Sequence, residues 1–297
     1  MKDRSKLTTE KRNPRSAAVD RLDALGIVDL INAEDARVAG AVARQRRQIA
    51  AAVEIIVDAF RRRGRLFYVG AGTSGRLGVL DAAESPPTFG TAPSQVQGIV
   101  AGGRRALVRA VEGAEDSAVG GAAAIDKRRV KAGDVVVGIA ACGLTPFVRG
   151  ALKRARQIGA ATVFITCAPQ ARKQMQADVI ISPVVGPEVV TGSTRMKAGT
   201  ATKLVLNTLT TAAMIRTGKV YGNLMVDLKA TSEKLRDRSE RIVMELTRVS
   251  RREARSLLAA ARGEVKTAIV MHRRKVSCRR AGELLAEAGG RLREVIG

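Results

Sequence analysis

Residues 66–90, LFYVGAGTSGRLGVLDAAESPPTFG, decide how the rest of the chain is read. Leu66, Phe67, Tyr68 and Val69 form a short apolar run of strand-forming residues. Gly70, Gly72 and Gly75 follow at once, and a helical pattern takes over, so the stretch predicts a strand at 66–69 and a helix over 74–83. A strand that turns through glycines into a helix presents unpaired backbone N–H groups and the positive end of a helix dipole, which together hold an anion. Thr73 and Ser74 add two hydroxyls, making Gly72, Thr73, Ser74 and Gly75 the first candidate ligand-binding residues. The same six residues, 70–75, fit G-x-G-x-x-G, the dinucleotide-binding pattern, but that reading needs an acidic residue after the second strand. The second strand, 96–100, ends in Ala101-Gly102-Gly103-Arg104, with no carboxylate. A phosphate monoester is therefore favoured over a dinucleotide. A turn that needs glycine only for close packing stays open as a third reading.

At 297 residues and 45% hydrophobic content the chain can bury a substantial core, in one large domain or one domain with an appendage. No run of about 18 apolar residues occurs, and MKDRSKLTTEKRNPRS lacks the apolar stretch of a signal peptide, so no membrane association and a cytoplasmic location are expected. Cys142, Cys167 and Cys278 are far apart and His272 is the only histidine, which leaves neither a zinc site nor a disulfide framework to expect. The 52 Lys and Arg against 28 Asp and Glu give a net charge of +24. The basic residues come in short bursts along the whole chain and aromatics make up 2%, so stacking platforms are nearly absent and specific nucleic-acid binding is not expected.

Residues 1–26 read as an extended polar arm, and 27–63 as helices that stop at Gly64. Strands are expected at 96–100, 134–140, 161–166 and 179–184, with helices from 106 onward and over 146–158. Such alternation argues for a parallel sheet covered on both faces, an α/β fold. A long helix is expected over 202–217, and helices to the end. The domain division predicted is an N-terminal arm with helices (1–54), an α/β domain (55–220), a connecting helix (221–249) and a small helical domain (250–297).

In an open α/β sheet ligands bind beyond the carboxyl ends of the strands. The loop after the third strand, Ala141-Cys142-Gly143-Leu144-Thr145-Pro146, is a second small-residue turn opening a helix and could clasp the same anion. Glu84 is expected to close the helix that the first turn opens, with Pro86 and Pro87 forbidding its continuation. A carboxylate at a helix C-terminus, if partly buried, has a raised pKa and suits a general acid. Glu112, Glu115 and Asp116 taken alone read as the solvated face of a helix.

Several stretches then resemble one family: LTTEKRNPRS (7–16), GAGTSGRLGVLDAAESPPTFG (70–90), AGGRRALVRAVEGAEDS (101–117), VVVGIAACGLTPFVRGAL (135–152), EVVTGSTRMKAGTATKLVLNTL (188–209) and GKVYGNLMVDLKATSEKL (218–235). They resemble the N-acetylmuramic acid 6-phosphate etherases of the sugar isomerase (SIS) family. The resemblance implies a flavodoxin-like SIS domain with a small C-terminal helical region, a homodimer, a sugar-phosphate substrate, no cofactor and a place in peptidoglycan recycling. It puts the two catalytic glutamates on Glu84 and Glu115, and Gly143, Thr145, Glu188 and Ser193 join the cradle residues as substrate-binding positions. The implied reaction is elimination of the D-lactyl ether followed by hydration. One departure stands out: where the family's third loop reads Ala-Ser-Gly-Arg-Thr, this chain has Cys142 and Leu144, a poorer donor and no guanidinium, so weaker phosphate binding is expected and Cys142→Ser should lower KM. The competing implication is a non-catalytic sugar-phosphate sensor like the glucokinase regulatory protein.

Overall fold

The computed structural model describes residues 5–143 and 145–297. The arm is not extended. It is wound into 3-10 turns at Thr8–Glu10, Pro14–Ser16 and Val19–Arg21, because Asn13 accepts a hydrogen bond from Arg15 N and the proline fixes the following turn. Asp23 then caps helix α1 (Ala24–Ala43) through Gly26 N, and α2 (Arg46–Arg61) follows after a break at Arg44–Gln45.

The sheet is built from β1 (Leu66–Gly70), β2 (Val96–Val100), β3 (Val135–Ile139), β4 (Ala161–Ile165) and β5 (Val179–Ile181). All pairings are parallel, in the order β2-β1-β3-β4-β5, with Gly70 level with Val100 on one side and Ile139 on the other. β1 and β3 are buried at every residue, as continuous apolar runs between two helical layers must be. This is the flavodoxin-like order, and its switch point lies between β1 and β3, so the loops after these two strands open on one crevice.

Four elements differ from the sequence reading. Helix α3 runs Gly72–Phe89, with Pro86 and Pro87 inside it. A proline removes an N–H but keeps a helical φ, so two prolines in the last turns forgo bonds without unwinding them, and Gly90 N still reaches Pro86 O at 3.0 Å. No helix starts at 106. Gly102, Gly103 and Gly113 take positive φ, the chain makes 3-10 turns at Gly103–Leu107 and Ala114–Asp116, and α4 (Ala118–Lys127) begins only where Ser117 caps it. β5 stops at Ile181 because Ser182 N leaves the ladder for Gln45 Oε1 and Pro183 has no N–H to offer. After α5 (Pro146–Ile158), helix α6 (Lys197–Arg216) begins five residues earlier than expected, because Glu188 caps it.

Glycines set the closest approaches. A β-carbon on Gly75 would lie 2.7 Å from Gly70 O, and one on Gly121 or Gly150 1.9 Å from the carbonyl oxygen of Phe147 or Ala118, so α4 and α5 touch backbone to backbone. The chain divides into two compact units, one formed by residues up to Ala82 with Ser94–Thr210, the other by Ala83–Pro93 with Thr211–Gly297. The second unit packs α7 (Glu233–Thr247), α8 (Arg251–Ala260), α9 (Val265–Arg274), α10 (Cys278–Glu287) and α11 (Leu292–Ile296) around Val226, Val243, Ala268, Ile269, Val270 and Ala281. Ser232, Ser250 and Ser277 cap α7, α8 and α10, and Asp227 binds Lys219 and Lys266 at 2.8 and 2.9 Å. Among the described residues no helix is long and apolar enough to cross a membrane.

Candidate functional site

The turn from β1 into α3 has the strand-glycine-helix geometry that the sequence predicts. Gly72 is exposed with φ +52°, Thr73 and Ser74 are half-buried, and Gly75 is buried against Gly70 and Val100. The first and third glycines of the G-x-G-x-x-G pattern thus serve close packing. Gly75 N donates to Ala71 O at 3.3 Å; the earlier N–H groups of α3 and the Thr73 and Ser74 hydroxyls, which bond to no described residue, remain for a ligand. The start of α6 lies against the same point: a β-carbon on Gly199 would sit 3.7 Å from Thr73 Cγ2. Two helix N-termini therefore converge on Thr73.

Beside the cradle, a cavity of about 210 Å³ is lined by Ala71 and Gly72 of the turn, Arg76 of α3, Ala101 and Ala106 after β2, and the segment from Ala110 to Glu115. Glu115 is exposed, in a 3-10 turn rather than on a helix face. The left-handed Gly113 makes that turn possible. Glu115 and Gly72 line one cavity. Arg76 was not singled out from the sequence, although it belongs to the glycine-turn motif. Its Nε donates to Leu107 O at 3.2 Å and its Nη2 to Arg109 O at 3.4 Å, tying the Glu115 segment to α3.

Glu84 is exposed and lies five residues before the end of α3, so it does not close the helix as expected: the C-terminal carbonyls belong to a later turn. Gly143 has φ +79°, and a β-carbon there would lie 2.0 Å from Ala171 Cβ, so glycine is required by conformation and by space. Thr145 is buried at the start of α5 without capping it. Cys142 packs against Leu7, Ala168 and Ala171, an apolar cluster that gives a thiol reason to be there, contrary to the expectation that it stands in for a phosphate donor. Leu144 lies outside the described residues.

Glu188 and Ser193 sit in the segment that leads into α6. Glu188 is fully buried, and its two oxygens accept from Lys197 N at 3.0 Å and Ala198 N at 2.9 Å, so it caps α6 instead of facing a ligand. Burial pushes its pKa up, against those two bonds and the Lys197 charge. Ser193 is half-buried and carries turn hydrogen bonds, its N–H to Val190 O and its carbonyl from Met196 N. Around them lies a buried ionic cluster that the sequence did not announce. Glu34, 1% exposed, binds Lys197, Arg15 and Asn13, and these partners, led by the Arg15 hydrogen bond, lower its pKa from 4.5 to about 2 despite burial. Asn13 also donates to Pro187 O at 3.3 Å and Ser16 to Val189 O at 2.8 Å, so the arm straps the segment that positions α6. Among the described residues no group of His, Cys, Asp and Glu is placed to hold a metal ion.

Comparison with known proteins sharpens this picture. Residues 48–156 match the family model described as the glucokinase regulatory protein N-terminal SIS domain. The N-acetylmuramic acid 6-phosphate etherase of Rhodopirellula baltica is 56% identical over 265 residues, covering 89% of this chain and 88% of its own length. The enzymes of that name from Edwardsiella ictaluri (54% identical, 89% and 88% covered) and Synechocystis sp. (53%, 91% and 88%) are similarly related. Among solved structures, a phosphoheptose isomerase from Francisella tularensis superposes with a TM-score of 0.50 at 14% identity, over 65% of this chain and all of that one, a likeness of fold alone.

Proposed function

The chain belongs to the N-acetylmuramic acid 6-phosphate etherase family, and from that premise we infer that it is a carbon–oxygen lyase converting N-acetylmuramic acid 6-phosphate to N-acetylglucosamine 6-phosphate and D-lactate. The structural observation that supports the reading is the cavity shared by the anion cradle at Gly72 and the carboxylate of Glu115. The cradle, with the helix N-termini of α3 and α6 meeting at Thr73, takes the dianionic 6-phosphate. Thr73 and Ser74 hydroxyls donate to it.

The chemistry closes with an acid and a base alone. In the open-chain sugar the C1 aldehyde acidifies the C2 proton, and the lactyl ether at C3 is a β-leaving group. Glu115 as carboxylate removes the C2 proton, the C3–O bond breaks, and Glu84 as carboxylic acid protonates the departing lactate oxygen. Water, deprotonated by Glu84, then adds at C3 of the unsaturated aldehyde, and Glu115 returns a proton to C2. The role of Glu84 rests on its place in the family motif. Such a reaction belongs to cytoplasmic recycling of cell-wall amino sugars by a homodimer, and the uncovered apolar side chains Leu22, Leu25 and Val28 around the start of α1 support pairing of two copies.

The test is isotopic as well as enzymatic. Incubation with N-acetylmuramic acid 6-phosphate should release D-lactate. In ¹⁸O-water the label should enter the sugar at C3 and not the lactate, and in deuterium oxide C2 should acquire deuterium. Label in lactate, or a C2 that keeps its original hydrogen, rules the elimination out.

A further inference from the structure

Arg76 carries a guanidinium into the cavity that holds Glu115, and only part of it is occupied. A guanidinium offers five N–H donors in a fixed fork. Two of them reach the carbonyls of Leu107 and Arg109, and the remaining three have no partner among the described residues. Arg76 forms no ion pair there either, although Glu112 and Glu115 line the same cavity. An arginine anchored by its edge, with free donors beside carboxylates it does not bind, is arranged for an anion that arrives with the substrate.

The substrate of the proposed reaction carries two anions. The 6-phosphate lies at the far end of the sugar from the bond that breaks and has its own cradle at Thr73 and Ser74. The lactyl carboxylate is two bonds from the ether oxygen, so it travels with C3. If Glu115 reaches C2, the anion that enters the Glu115 cavity is the carboxylate.

We propose that Arg76 is the receptor for the lactyl carboxylate, a binding subsite that selects the lactyl ether over sugar phosphates without it. The pairing also neutralises a charge that would otherwise sit beside the Glu115 carboxylate. This rests on the substrate reading given above.

The experiment compares N-acetylmuramic acid 6-phosphate with its neutral lactamide analogue as substrates, and N-acetylglucosamine 6-phosphate as a competitive inhibitor, on the wild type, Arg76→Gln and Arg76→Lys. A bidentate, charge-assisted pair predicts that the wild type favours acid over amide in kcat/KM by about 10- to 100-fold. Arg76→Gln should remove that preference by lowering kcat/KM for the acid, leaving the amide substrate and the inhibition constant of the product within about threefold. Arg76→Lys, which keeps the charge without the fork, should fall between and serves if the glutamine variant does not fold. Equal losses for acid, amide and product would overturn the proposal, since they mean that Arg76 only holds the loop carbonyls; so would an acid preference that survives in both variants. Absence of lactate release by the wild type would instead overturn the substrate reading and the proposal with it.

Discussion

Replacing Glu34 with Gln removes the charge that satisfies a buried lysine. Glu34 and Lys197 are each 1% exposed, so the variant leaves an ammonium group sealed from water with an amide for company. Breaking a buried pair from one side costs about 3–5 kcal/mol. The acid limb of the stability curve gives an independent figure. With its pKa lowered from 4.5 to about 2 in the folded protein, the carboxylate stabilises the native state above pH 4.5 and loses that contribution as pH falls toward 2. At ~1.36 kcal/mol per pH unit the whole contribution is about 3 kcal/mol, of which about 2 kcal/mol is gone by pH 3. Urea unfolding followed by circular dichroism at pH 7, 5 and 3 measures both quantities. Wild type should lose about 2 kcal/mol more than Glu34→Gln between pH 7 and pH 3, and the variant should be the less stable at pH 7. The double variant Glu34→Leu/Lys197→Met, which removes both charges, should recover much of the loss. A Glu34→Gln protein within about 1 kcal/mol of wild type at pH 7, or an acid slope identical in the two proteins, would refute the account of this cluster.

The remaining expectations are shorter. Glu84→Gln should lower kcat by about 10²–10⁴-fold with little change in sugar-phosphate affinity, since the amide cannot deliver a proton; activity within a few-fold of wild type would leave Glu84 a surface residue of α3. Cys142→Ser, which from the sequence alone was expected to tighten phosphate binding, should leave KM unchanged and lower Tm slightly, because the side chain packs on Leu7, Ala168 and Ala171; a clear drop in KM would put the hydroxyl at the phosphate after all. Gly143→Ala should fail to fold or lose several kcal/mol, about 1–2 of them from the left-handed backbone alone, and a stable, active variant by thermal melt would show that the loop can move away from Ala171.

The sheet was legible because its signal is local. The runs LFYV, VVVGI and ATVFI are apolar on both faces, and only a strand covered on both sides asks for that. The glycine turn into α3 was legible for the same reason, its conformation being written in six adjacent residues. The errors fall where a partner far along the chain decides. Helix α3 outlasts its prolines, and α6 starts early because Glu188, nine residues upstream, satisfies its first N–H groups. The family resemblance placed Glu188 among the substrate-binding positions; in the structure it is buried with both oxygens on the first N–H groups of α6. Glu34 and its partners left no local trace, as an acid on an ordinary helix cannot announce a lysine 163 positions away. Arg76 was visible as a letter of the motif, but that its fork spans to Leu107 and Arg109 emerges only from the path of the loop.

The strap formed by the N-terminal arm also sets the order in which the molecule can be completed during synthesis. Asn13 and Ser16 leave the ribosome early, yet their acceptors at Pro187 and Val189 lie 174 and 173 residues later, and the ammonium group for Glu34 arrives with Lys197. Contacts of such separation are the slowest to close. Until they do, Glu34 has no lysine to neutralise it and the cap for α6 has not been made, so the nascent chain carries a nearly whole sheet with α6 not yet anchored. A fusion or truncation that removes the arm should therefore be felt as slow, aggregation-prone maturation before it is felt as lost activity.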